Sequence, residues 1–253
     1  MDNRQPRVSI ITVVKNALSD LEITRKSLES QTIQDFEWIV IDGDSQDGTV
    51  EKYQQMKSAN RIFISEPDQG LYYAMNKGLR IAKGEVIGIL NAGDTYLKDA
   101  IQSVIEISID NPKAKILYGK VSINHGTPSL IHHSELKSRM FFHLGSFVHE
   151  SVYKQIGFFD TSYRVAADYD LMCRALSKGY TFQELNMTLA NFVSGGYSSR
   201  HVLRSIFETF RIQLKYFPRA FVPNLYMAFK SLVVYFLQTS LKFISRFFNR
   251  NIR

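Results

Sequence analysis

Between Val86 and Leu90 the sequence VIGIL is apolar at nearly every position, and it stops abruptly at Asn91-Ala92-Gly93-Asp94. A strand buried on one face alternates; unbroken hydrophobicity marks a strand covered on both faces, as in the middle of a parallel sheet. That restricts the chain to an α/β architecture with helices on either side of the sheet. The carboxyl edge of such a sheet is where ligands bind. Asp94 sits at that edge behind small residues, so its carboxylate suits a hard divalent cation carrying a phosphate-bearing ligand. It also suits a turn cap, and only the surrounding segments decide between the two.

Those segments repeat the pattern. Val8–Val14 (VSIITVV) and Phe36–Ile41 (FEWIVI) are β-branched or aromatic runs that read as buried strands, and Arg61–Ser65 as a third. Asp20 is placed to cap a helix after the first strand, and Thr49 or Asp47 to open one reaching Met56 after the second. Leu71–Ala82, stopped by Gly84, and Lys98–Ile109, stopped by Asn111-Pro112, read as amphipathic helices. The order is β-α-β-α-β-α-β-α, which predicts a mainly parallel central sheet flanked by helices. The acidic loop Asp42–Thr49 lacks the ligand spacing of an EF-hand, and no GxGxxG follows a strand, so neither calcium nor a dinucleotide loop is expected.

Beyond Lys115 the pattern changes. Ile116–Ile123 reads as a strand, and Phe141–His149 as an apolar run whose His143 and His149 are core or rim histidines. Ser151–Ile156 and Leu171–Lys178 read as helices, and Tyr180–Leu185 and Leu189–Val193 as two strands. Asp168 falls where a helix N-terminus favours a negative charge. Cys173 is the single cysteine, which excludes an internal disulfide and fits a reducing compartment.

Charge divides the chain. From Arg200 to Arg253 ten Lys and Arg face Glu208 alone, a surplus of nine, whereas the whole chain carries +7; residues 1–199 are therefore slightly acidic. A body of residues 1–200 and a basic tail of 201–253 follow. In Leu225–Phe248 only eleven uncharged residues separate Lys230 from Lys242, short of the roughly 20 apolar residues that span a bilayer. At helical spacing Lys242, Arg246, Arg250 and Arg253 share one side, and Leu237, Leu241, Ile244, Phe247 and Phe248 the other. A basic face opposite an aromatic one fits a helix lying in the membrane interface. The broad apolar face speaks against nucleic acid; its other uses are packing on the body or a homo-oligomer interface. With Pro218 and Pro223 as breakers, the tail reads as two or more amphipathic helices.

The segments VSIITVVKN, EWIVIDGDSQDGT, SEPDQGLYYAMNKGLRIAKGE, IGILNAGD and HESVYKQIGFFDTSYRVAADYDL resemble, in order, those of the family-2 inverting glycosyltransferases of the GT-A fold. The resemblance covers roughly Val8–His201. It implies a nucleotide-sugar donor and Mn²⁺ or Mg²⁺, with Asp94 standing where the last carboxylate of the family's DXD motif holds the metal, joined by His201. It implies Asp168 in AADYDL as catalytic base. Thr12, Val13, Val14, Asn16, Asp42, Asp68 and Asn91 fall on the donor side, and Arg200 is expected to reach the diphosphate. Three positions depart from the family pattern: Gly93 precedes the metal Asp, Gly43 follows Asp42, and Ala167 precedes the base.

The chemistry agrees. One base without a second, nucleophilic carboxylate matches direct displacement with inversion, and a cation meets the charge of a departing nucleoside diphosphate. With the tail, this predicts a peripheral enzyme on the cytoplasmic face of the bacterial plasma membrane, using a glycan or lipid-linked acceptor for surface polysaccharide. The rivals are a catalytically silent nucleotide-sugar-binding or scaffold protein, which the presence of both Asp94 and Asp168 disfavours, and a nucleotidyltransferase, whose phosphate loop VVKNALSD lacks.

Overall fold

The computed structural model describes residues 6–55, 60–138 and 143–250, with side chains as far as residue 237. Met56, Phe141, Phe142 and the side chains beyond Leu237 on which expectations were placed lie outside it. Strands β1 (Val8–Val14), β2 (Phe36–Asp42), β3 (Arg61–Ser65) and β4 (Val86–Ile89) alternate with helices α1 (Leu18–Glu29), α2 (Thr49–Gln54) and α3 (Leu71–Ile81). They pair in parallel in the order β3-β2-β1-β4. All of β1, β2 and β4 is buried, as their unbroken hydrophobicity demands. Ile11 and Val13 pack with Met75 and Leu79 of α3 on one face of the sheet. Ile10 and Val14 pack with Leu21 and Leu28 of α1 on the other. Because β1 is followed by β2 on one side and flanked by β4 on the other, the crevice at their carboxyl ends is a topological switch point.

The second half extends the sheet with antiparallel members. β5 (Thr95–Tyr96), α4 (Ala100–Asp110), β6 (Ile116–Ile123), β7 (Ser146–His149), α5 (Glu150–Ile156), α6 (Ala167–Ser177) and β8 (Phe182–Phe192) follow, and the sheet continues β4-β7-β6-β8-β5. β7 runs antiparallel to β4 and β6. The two strands expected at 180–193 are one, β8, whose pairing with β6 shifts register between Tyr118 and Val121. Asp20 does not cap α1: the cap residue is Ala17, and Asp47 from the β2 loop accepts the Leu18 N–H at 2.9 Å.

The C-terminal part corrects two expectations. Helices α7 (Tyr197–Arg200), α8 (Val202–Tyr216) and α9 (Phe221–Arg250) follow β8. Ile212 of α8 is fully buried in the main core, with Tyr216 and Phe217 packed against it, so the body does not end at residue 200 but includes α8. What projects is α9, where Phe221, Val222, Tyr226 and Phe229 are exposed. Pro218 ends α8 through a 3₁₀ turn, whereas Pro223 lies in the first turn of α9, where it is tolerated. The apolar stretch is also longer than the Lys230–Lys242 interval indicated. Pro218–Leu237, 20 residues of mean hydropathy 1.4, is long and apolar enough to cross a membrane by length and composition.

Candidate active site

Asp168 lies in the first turn of α6, which starts at Ala167, four residues before the sequence pattern placed it. Its carboxylate is almost closed to solvent. Tyr72 from α3 donates its hydroxyl to Oδ1 at 2.9 Å and, forked, to the Val165 carbonyl at 2.8 Å. His143 Nδ1 lies 2.7 Å from Oδ2. When the imidazole is neutral with its proton on Nδ1, it donates to Asp168 and leaves the other ring nitrogen as an acceptor. That nitrogen, Nε2, is 3.3 Å from Asn91 Nδ2 at the end of the central strand. Tyr72, Asp168, His143 and Asn91 thus form one hydrogen-bonded chain linking α3, α6, the turn before β7 and the β4 edge.

His143 was not among the residues expected here. A 3₁₀ turn, His143–Gly145, carries it into β7, and Ser146 Oγ donates to its carbonyl at 2.7 Å. Gly145 brings this turn onto β6: a Cβ there would stand 2.5 Å from Val121 Cγ2 and 3.0 Å from the Gly119 carbonyl. Burial works against protonation of the imidazole. The Asp168 hydrogen bond and the charges of Asp168 and Asp94 outweigh it and hold His143 above its ordinary value. Burial, then the Asp168 charge, push the Tyr72 hydroxyl far up, so it acts only as a donor.

Asp94 follows Gly93, whose φ of +94° turns the chain at the strand edge. Thr24 of α1 braces this turn, donating to the Asp94 carbonyl at 2.9 Å and accepting the Gly93 N–H at 3.0 Å. Asp94 Oδ1 accepts the Val193 N–H at 3.0 Å. Among the described residues Oδ2 has no hydrogen-bond donor. Burial raises the carboxyl to about 6, against the lowering effects of the Val193 N–H and of His143. A buried carboxylate with one free oxygen fits a hard cation that also takes phosphate oxygens, the usual manner of Mg²⁺ and Mn²⁺. Among the described residues no three His, Cys, Asp or Glu side chains converge on one point.

The remaining expected residues divide. Thr12 does not line the crevice with its side chain: it is fully buried, and its hydroxyl accepts the Trp38 indole N–H at 2.9 Å, because alternate residues of β1 face alternate sides. Val13 and Val14 are buried at the end of the same strand. Asp42 is fully buried and holds the β2 loop, accepting from Ser45 Oγ at 2.5 Å, the Ser45 N–H at 2.9 Å and Ser65 Oγ at 2.7 Å. Asn16 is at positive φ, and its Oδ1 accepts the Gln46 N–H at 2.8 Å. Asp68 pairs with Lys77 at 2.6 Å. Arg200 is exposed. His201 stacks on Tyr197 and directs Nδ1 to the Tyr197 carbonyl at 2.9 Å rather than to Asp94. His149 caps α5. Asp170 is tied to Arg174 at 2.8 Å, Lys215 at 3.1 Å and Tyr216 at 3.0 Å, a structural knot between α6 and α8.

Comparison with known proteins bears on what this site does. Residues 9–172 match the family Glycosyl transferase family 2. An uncharacterized glycosyltransferase of Mycobacterium tuberculosis is 30% identical over 180 residues, 67% of this chain and 69% of that protein. The putative teichuronic acid biosynthesis glycosyltransferase TuaG of Bacillus subtilis is 27% identical over 205 residues, 76% and 81% of the two chains. Among solved structures, S. aureus TarS (residues 1–349) superposes with a TM-score of 0.68 at 16% identity, over 88% of this chain and 72% of that one. The mannosyltransferase PcManGT from Pyrobaculum calidifontis, in complex with GDP-Man and Mn²⁺, superposes with a TM-score of 0.66 at 17% identity, over 92% and 75%. The mixed sheet with its parallel β3-β2-β1-β4 half is the GT-A fold, and the chain is a glycosyltransferase belonging to family 2.

Proposed function

We propose that this enzyme transfers a sugar, with inversion, from a nucleotide-sugar donor to a glycan acceptor, with Asp168 as the base. The observation that carries this reading is the buried chain Tyr72–Asp168–His143–Asn91, which ends beside the switch-point crevice. Asp168 accepts the proton of the acceptor hydroxyl, a role worth about 10²–10⁴-fold. Tyr72 and His143 fix the two carboxylate oxygens, so the carboxylate needs no reorganisation as the proton arrives. Neutral His143, donating through Nδ1, leaves Asp168 charged and able to accept. Asn91 holds that tautomer by donating to Nε2, which keeps the ring from turning.

Asp94 would hold Mn²⁺ or Mg²⁺ with the donor diphosphate. When bound, the cation neutralises charge on the departing nucleoside diphosphate. Arg200 and His201 belong to this reading as diphosphate contacts only if the loop carrying them moves; the loop leaves β8 directly beyond Val193, whose N–H rests on Asp94. Solved relatives in fold are described in complex with UDP-GlcNAc and with GDP-Man and Mn²⁺, and these are the first donors to try. Release of nucleoside diphosphate from a panel of nucleotide sugars, with Mn²⁺, Mg²⁺ or EDTA, tests the proposal. One or more donors should be turned over only with metal; a panel in which none binds or turns over contradicts it.

The acceptor is proposed to be lipid-linked, as a precursor of surface polysaccharide. This rests on α9, which exposes Phe221, Val222, Tyr226 and Phe229 while its sequence carries Lys230, Lys242, Arg246 and Arg250. Lys230 falls within the apolar stretch, which favours a helix lying in the interface of the cytoplasmic leaflet over one that spans it.

A further inference from the structure

Helix α6, which presents Asp168, has no cap of its own. Its cap residue is Ala166, with no side-chain hydrogen bond to the free N–H groups of the first turn. The N–H groups of the cap residue and of the two residues before it are taken up by a residue more than 40 positions later. Glu208, in the middle of α8 and 7% exposed, accepts the N–H of Arg164 at 3.0 and 3.1 Å, of Val165 at 2.8 Å and of Ala166 at 3.1 Å. Three successive backbone N–H groups converging on one carboxylate form a fully built anion seat, and the anion in it is a side chain of the protein. The same short segment is gripped from its other side, since the Val165 carbonyl accepts from Tyr72, which also holds Asp168. Glu208 is therefore three hydrogen bonds away from the base: from the Val165 N–H to Glu208, from Tyr72 to the Val165 carbonyl, and from Tyr72 to Asp168.

Resting on the reading of Asp168 as base, we propose that Glu208 is a positioning residue for it, so that α8 is part of the catalytic apparatus. Glu208 lies outside residues 9–172, which the family match covers, and was visible in the sequence only as the one acid in a basic tail. Its effect has two components. The hydrogen bonds fix the entry of α6, and a displacement of that turn by about 1 Å costs on the order of 10²-fold in rate. The charge opposes the positive end of the α6 dipole, beside which Asp168 sits. Other charged or titratable groups share the neighbourhood: His143 from the turn before β7, Tyr72 from α3, Asp94 beyond His143, and Asp170 with Arg174 and Lys215. None of these reaches the 164–166 amides. Arg204 stands 3.8 Å from Glu208 on its own helix.

Glu208→Gln in the full-length protein separates the two components from mere stability, because the amide keeps the shape and one acceptor oxygen but loses the charge. The readouts are release of UDP from UDP-GlcNAc or of GDP from GDP-Man with Mn²⁺, donor dissociation constants, and amide hydrogen exchange of residues 164–171. The expected result is a kcat lower by about tenfold or more, with donor affinity within about twofold. The acid limb of the kcat profile should also move to lower pH, since loss of a negative charge makes the base weaker. Exchange should rise in residues 164–171 ahead of the rest of α6. A variant with the kcat and acid limb of the wild type, differing only in thermal stability, overturns the proposal. If Glu208→Gln does not fold, the wild type decides: amides 164–166 must be as protected as the interior of α6, and exchange at the rate of an open loop overturns it. Failure of the base reading is distinguishable, because Asp168→Asn would then retain activity whatever Glu208 does.

Discussion

The imidazole of His143 and the carboxylate of Asp168 lie 2.7 Å apart, nitrogen to oxygen, although 25 residues and the whole of β7 and α5 separate them in the chain. Of the two, the His143 side chain is the more open, 24% exposed against 8% for Asp168. Proton uptake at this site therefore involves the pair rather than an isolated carboxylate.

The first prediction concerns pH. His143 is held above its ordinary value of 6.5 by Asp168 and Asp94, against burial. As an imidazolium it weakens Asp168 as a base, so kcat should rise with pH through that raised value. In His143→Gln, which cannot ionise, the acid limb should move to lower pH and kcat at neutral pH should fall by about tenfold. Stability should go the other way. The folded-state pKa is raised, so the extra stability from the charged pair is full below 6.5 and is lost as pH rises through the folded value. Thermal melts of wild type and His143→Gln across pH 5 to 9 check this: the gap between them should narrow with rising pH.

On the proposed reading, metal use turns on Asp94. Asp94→Asn keeps the Val193 contact but removes the charge, and metal-supported binding of a nucleoside diphosphate should weaken by about tenfold or more. Because burial raises the Asp94 carboxyl to about 6, metal-dependent binding should fade as pH drops through that value in the wild type. Calorimetry with UDP or GDP and Mn²⁺ measures both. Equal binding with and without EDTA would contradict the assignment.

Removal of α9 alone should leave a folded body, because Ile212, Glu208 and Lys215, which tie α8 to α6 and the core, all precede it. Truncation after Ala220 should abolish flotation with anionic liposomes while keeping donor affinity within about twofold. High salt should release the full-length protein only in part, since burial of residues such as Phe221 and Phe229, about 1.5–3 kcal/mol each when complete, is not screened. Truncation at residue 200 should be far more damaging. A truncated body that still floats, or a full-length protein that never does, contradicts the membrane reading.

How much of this could be read in the sequence follows from which interactions are local. Strands β1, β2 and β4 were legible because burial on both faces writes itself as an unbroken apolar run, and the half-buried edge strand β3 through its short β-branched and aromatic core. The places of Asp94 just beyond the central strand and of Asp168 near a helix N-terminus were legible through the segments around them. What escaped was long-range pairing. His143 sits among aromatic residues and resembled a core histidine; its partner lies on another element, and the one local clue, Gly145, has meaning only once β6 is seen against it. The start of α6 lies four residues before the expected one because the segment leading into it, 164–166, is held by Glu208 from α8 rather than by a local capping side chain. Thr12 was assigned to the crevice from its place in a motif, although strand alternation points it at Trp38. The domain boundary followed charge, and charge does not record that Ile212 is in the core.

The most direct measurement of the central claim compares Asp168→Asn with Asp170→Asn in donor turnover at saturating nucleotide sugar and Mn²⁺, with donor affinity measured in parallel. Asp168→Asn preserves size and keeps one acceptor oxygen for Tyr72 but cannot take the proton, so kcat should fall by about 10²-fold or more with donor affinity retained. Asp170→Asn breaks the buried knot with Arg174, Lys215 and Tyr216, so it should lower the melting temperature and leave kcat of the folded fraction within about tenfold. Near-wild-type turnover in Asp168→Asn, with the loss confined to folded Asp170→Asn, would contradict the account.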